Sequence, residues 1–241
     1  MSYMEVKKSK KHIFIIIGVV ILLLLVPIIY GVVKDLKQED TLKKELDTLY
    51  EVTNKEPIDR NEVNKILDRT VTTSSDYKKV EIAYKKYTRD CFSILTDIMD
   101  VLEDNRLVEV LTAENYQQDG KDFTETKKYL KETKEKLQRV IKNYNEYFTE
   151  EKAMSYLDKN LDSYYQDFYK DEVVGNLDKT KEDDEVISSI NDLITLIDQE
   201  TDVINFLVTN KDAWTIEDSA ISFTTDDLID AYNNLIGKIS D

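Results

Sequence analysis

The feature that most restricts this chain is the run from Ile13 to Val33, 21 consecutive residues without a formal charge, centred on Ile-Leu-Leu-Leu-Leu-Val. As a helix it spans about 31 Å, close to the roughly 30 Å of a bilayer's hydrocarbon layer. A helix also satisfies its own backbone polar groups, which hydrocarbon cannot do. The run therefore predicts a membrane anchor over 13–33. Gly18 and Pro27 fit this reading, because membrane helices accept both. A cleaved signal peptide has an apolar core of about 7–15 residues followed by a small-x-small site. This run is longer, and Ile28-Ile29-Tyr30-Gly31-Val32-Val33 offers no such site. No cysteine closes it, which argues against a lipoprotein.

Lys7, Lys8, Lys10 and Lys11 precede the run, and acidic residues follow it closely. The positive-inside rule then sets the topology. A basic tail (1–12) lies in the cytoplasm, and everything beyond 33 lies outside it. The expected location is the cell membrane, with a single pass. A tail this short holds no output domain, so any signalling would run through a partner. The run lacks a small-xxx-small pattern, which favours a tether over a dimerisation helix.

Charge divides sharply along the chain. The net charge is −16, yet residues 1–33 carry four lysines against one glutamate, so the remainder is more acidic than the total suggests. Phosphate backbones and anionic headgroups would repel such a domain. A solvated helical surface or a cationic partner fits it. Only 5 Gly and 2 Pro occur in 241 residues, too few for turn-rich β folds, so helices are expected. The single cysteine, Cys91, excludes an intramolecular disulfide, and about 200 residues bury enough core without one.

Apolar residues recur at three and four along most of the remainder. Helices are predicted over Asp35–Asn54, Ile58–Arg69, Asp76–Glu103, Thr124–Phe148, Asn160–Val174, Glu185–Thr209 and Asp226–Ile239. Thr124 and Thr225 are read as caps, and Thr149-Glu-Glu-Lys152 as the start of a further helix. Asn105–Leu111 reads as an extension of the third helix, and Asn115–Asp122 as a loop around Asp119-Gly120. Asn176–Asp184 reads as a charged linker. Trp214–Ile216 and Ile221–Phe223 alternate apolar with polar about a turn, a small hairpin signal. The expected organisation is 34–75 juxtamembrane helices, 76–209 a helical bundle, and 210–241 a hairpin with a capping helix. The fold class is all-α: an antiparallel helical bundle on a membrane tether, with a short C-terminal hairpin.

The chemistry is mostly exclusion. The only histidine, His12, sits beside the anchor, so the domain beyond lacks histidine bases, Ser-His-Asp machinery and common zinc sites. No GxGxxG or Walker loop occurs. Asn115, Gln117 and Asp119 echo a calcium loop, but the twelfth position is Thr126, where a bidentate glutamate belongs. No cofactor or metal is expected. Cys91 lies on an apolar stripe and reads as a buried inert thiol. Paired carboxylates could serve glycoside hydrolysis, but no local motif isolates two of them. Tyr164, Tyr165, Phe168, Tyr169 and Trp214 are the candidate interaction aromatics. The pairs Tyr165/Tyr169 and Tyr164/Phe168 each share a helix face, and an exposed face would suit a partner or a glycan.

These readings favour a non-catalytic envelope protein whose helical domain binds a protein partner or serves as an accessory subunit of a membrane complex. Self-association is compatible with this. Extracytoplasmic ligand sensing or glycan binding is the alternative, and a carboxylate-dependent hydrolase is a remote third.

Overall fold

The structure, a computed structural model, describes residues 36–53, 58–174, 177, 185–217 and 220–240. The tail 1–12, the run 13–33, and Lys7, Lys8, Lys10 and Lys11 lie outside these residues, as does nearly all of the 176–184 linker. The chain is mostly helical (77%), with one two-stranded antiparallel hairpin near its C-terminus. Among the described residues no helix is long and apolar enough to cross a membrane.

In chain order the helices are α1 (Leu36–Thr53), α2 (Arg60–Leu67), α3 (Ser75–Glu103), α4 (Arg106–Glu109), α5 (Ala113–Asp119), α6 (Thr124–Tyr147), α7 (Glu150–Met154), α8 (Ser163–Tyr169), α9 (Glu185–Thr209) and α10 (Asp226–Ser240). A π-helical turn, Lys170–Val174, follows α8. The strands are β1 (Trp214–Glu217) and β2 (Ala220–Phe223). The described residues form two compact units. Unit I gathers 36–96 and 140–186, and unit II gathers 97–139 and 187–240.

In unit I, α1 packs on α2 through an apolar stripe that buries Leu42, Leu49 and Val52 on one helix and Val63, Ile66 and Leu67 on the other. Each such side chain taken out of water contributes about 1.5–3 kcal/mol. Asp59 starts α2 by accepting from the amides of Asn61 (2.9 Å) and Glu62 (3.1 Å), a cap the sequence reading left unassigned. Along α3 the three-and-four spacing buries Tyr77, Val80, Tyr84, Tyr87 and Cys91 as expected.

Two charged residues on α3 break the expectation that charge faces water. Glu81 is 0% exposed and Lys85 is 8% exposed. Glu81 accepts from the amides of Thr72 and Thr73 and from the Thr73 hydroxyl (2.7 Å). Lys85 Nζ lies 2.9 Å from Glu81 and 2.9 Å from Glu45 on α1, and Arg69 reaches Glu45 at 3.6 Å. Thr72 and Thr73, just before α3, are thus held by a buried carboxylate.

The predicted helix Asn160–Val174 is two pieces. Asp162 caps α8 by accepting from the Tyr164 amide (3.0 Å), and the chain then widens into the π turn.

In unit II the segment read as a loop is largely helical. Thr112 Oγ1 accepts from the Asn115 amide (3.2 Å) and starts α5, which runs to Asp119. Gly120, at φ +76°, ends it in a conformation that favours glycine. Tyr116 supplies the anchor that the turn signal concealed: it is buried, edge-on to Phe123 and Trp214. Thr124 is not the cap of α6. Asp119 takes that role, accepting from the amides of Glu125 (3.1 Å) and Thr126 (2.7 Å). Residues 105–111 do not extend α3 either, because α4 is a separate short turn.

The hairpin pairs Trp214 with Phe223 and Ile216 with Ile221. Phe223 and Phe206 both meet Tyr232 of α10, whose hydroxyl lies 3.1 Å from that of Tyr116. Yet no residue from Asp226 to Ile239 is fully buried, so α10 packs only shallowly.

Candidate functional site

The predicted interaction aromatics separate. In unit I, Tyr77 is 2% exposed and takes Tyr165 edge-on at 5.0 Å and Phe168 at 6.2 Å. Its hydroxyl lies 3.3 Å from that of Tyr164. Tyr169 is buried and donates its hydroxyl to the Ala153 carbonyl (3.1 Å). In unit II, Trp214 is 3% exposed and donates Nε1–H to the Leu207 carbonyl (2.8 Å). Lys121 lies over its ring and donates to the carbonyls of Lys211 and Trp214. Of the five, only Tyr164 is exposed, at 36%. The others serve mainly as packing, with their polar tips satisfied by the backbone or at the surface.

A different site emerges in unit II, from residues the sequence did not single out. Short α4, then α5 and the first half of α6, enclose an open groove of about 790 Å³. Its walls hold five carboxylates (Glu109, Glu114, Asp119, Glu125 and Glu132) against two cations, Arg106 and Lys128. A second depression of about 600 Å³ continues along α6 and shares Arg106, Tyr129 and Glu132 with the first.

Local bonding fixes these walls. Asn115 donates its side-chain amide to the Val110 carbonyl (2.8 Å) and to Thr126 Oγ1 (3.1 Å), tying α5 to α6. Burial works to raise the Asp119 carboxyl, but hydrogen bonds from Thr126 and Glu125 outweigh it and hold the group below its ordinary value. At the shared wall, Arg106 grips Asp104 with Nε (3.1 Å) and Nη2 (2.7 Å). That grip holds the Asp104 carboxyl low. The same guanidinium lies 4.3 Å from the centroid of the Tyr129 ring, a cation–π arrangement. Burial, aided by the Asp104 charge, pushes the Tyr129 phenol up to about 12, so it stays protonated at neutral pH.

The groove therefore offers carboxylates along a helix, and an aromatic face already carrying one guanidinium. Among the described residues no three His, Cys, Asp or Glu side chains converge so as to hold a metal ion. Asn115 and Asp119, the start of the calcium-like pattern, are occupied with helix and cap bonding. No family model, curated protein or solved structure matches this chain.

The groove was hard to foresee because acidic residues are abundant everywhere. What selects these five is the α4–α5–α6 turn geometry, which follows from Thr112, Gly120 and Asp119 acting together.

Proposed function

We propose that the chain is a non-catalytic, membrane-anchored protein of the cell envelope. The anchor is 13–33, the basic tail faces the cytoplasm, and the acidic helical domain lies outside. That domain binds a protein partner or serves as an accessory subunit of a membrane complex. The observation that carries the reading is the groove of unit II. It is open and lined by charged side chains, as suits a segment of another protein. Small-ligand pockets of similar volume, about 300–1,000 Å³, are lined mainly by apolar groups. The anchor adds to the mechanism by confining the domain near the membrane, which raises its effective concentration for partners there.

Crosslinking in cells of affinity-tagged full-length chain, followed by detergent extraction and mass spectrometry, tests the proposal. A single partner recovered near stoichiometry is the expected outcome. Repeated recovery of the chain alone would overturn it in favour of ligand sensing or glycan binding, a reading supported by the Tyr129 ring and its polar neighbours in the groove wall.

A further inference from the structure

Resting on that reading, we infer that the partner's docked element is an extended, arginine- or lysine-bearing segment of about six residues lying along α6 from Glu125 to Arg139. The length follows from the two depressions. Their shared wall makes them continuous, and together they follow α6 from Glu125 to Arg139. Fourteen helical steps cover about 21 Å, which an extended chain matches with about six residues.

The charge follows from the groove's own carboxylates, which outnumber its cations. Side-chain recognition follows from Arg106. An aromatic face flanked by a carboxylate is what a partner's guanidinium needs, and Tyr129 with Asp104 already builds it. The chain's own Arg106 holds that place in the free protein. A partner's arginine takes it over when the segment docks, so Arg106 acts as a placeholder that weakens binding. An extended segment fits because the two depressions run on from one another along α6, and such a segment crosses both.

The test uses full-length chain in uncharged detergent micelles. The probe is a capped, fluorescent six-residue peptide alternating arginine with alanine, read by anisotropy. Wild type binds it, and the pair Glu109→Lys with Glu132→Lys weakens binding by about tenfold or more. The pair Glu151→Lys with Asp167→Lys makes the same change in net charge on exposed sites of unit I and stays within about twofold. Arg106→Gln tightens binding by about threefold or more, which simple damage to the fold would not do.

Equal weakening by both reversal pairs, loss of affinity in Arg106→Gln, or no binding by wild type overturns the inference. So does complete competition by spermine at concentrations equal to the peptide, which would make the occupant a small polyamine. A recovered partner crosslinked only outside residues 106–139 refutes this inference and leaves the proposed function standing. Peptide binding at the groove with no partner recovered does the reverse.

Discussion

Lys85→Met is the most informative single change. Wild-type Lys85 sits between two buried carboxylates, Glu81 and Glu45, at 2.9 Å from each. Methionine keeps the volume but removes the charge that compensates both. Breaking a buried pair by deleting one partner costs about 3–5 kcal/mol. The lower end applies here, because Glu81 keeps its Thr72 and Thr73 donors and Glu45 keeps Arg69 at 3.6 Å. With a urea slope of about 2 kcal/mol/M, a loss near 3 kcal/mol lowers the unfolding midpoint by roughly 1.5 M.

The assay is urea unfolding of residues 35–241, followed by far-UV circular dichroism across pH. In wild type, burial raises the Glu81 carboxyl, but hydrogen bonds from Lys85, Thr73 and Thr72 outweigh this and leave it below 4.5. A depressed carboxylate stabilises the fold above its unfolded pKa and loses that contribution as pH falls through its folded pKa. Without Lys85 one of these bonds is lost while the burial remains, so the folded pKa rises from its wild-type position. The gap between variant and wild type should then narrow as pH falls into the carboxylate range. Adding Glu45→Leu should recover part of the loss, because it removes a buried carboxylate left with only the longer Arg69 contact. A midpoint shift below about 0.3 M, or a gap independent of pH, would refute the claim that an unpaired buried charge sets the cost.

Other outcomes follow from features elsewhere in the chain. Trp214→Ala should cost about 3–5 kcal/mol in the same unfolding assay, as expected for a buried aromatic replaced by a cavity. Asp119→Ala should cost about 1 kcal/mol at neutral pH through its lost cap. Because the Asp119 carboxyl is held low in the fold, that difference should vanish as pH falls through its folded pKa. Burial pushes the Cys91 thiol up to about 12. It should resist an aromatic disulfide reagent at pH 8 until urea unfolds the chain. For the anchor, Asn234→Cys in intact cells should react with a membrane-impermeant maleimide, whereas Ser2→Cys should react only after permeabilisation.

The helices were legible because apolar spacing is repeated many times within each, so a few exceptions do not hide it. Caps were less legible. Thr149 accepts from the Lys152 amide as read, but the Thr112 cap was missed, and Asp59, Asp119 and Asp162 were lost among many similar carboxylates. Glu81 and Lys85 illustrate the limit more sharply. At spacing i,i+4 they look like an ordinary surface pair. Only the return of α1 and the Thr72–Thr73 stretch buries them. The groove has the same origin, since its residues are near in sequence but become a site through three successive caps and turns. Of the predicted aromatics, the spacing gave their helix faces but not their neighbour Tyr77, which lies almost ninety positions from Tyr164.

The shallow packing of α10 bears on how unit II opens. A helix with no fully buried residue adds little to the free energy of the body beneath it, and such elements open first in native-state exchange. The fully buried side chains of unit II, among them Leu107, Tyr116, Phe123 and Trp214, lie outside α10. Opening of α10 therefore exposes little buried surface and leaves the deeper side chains of unit II in place.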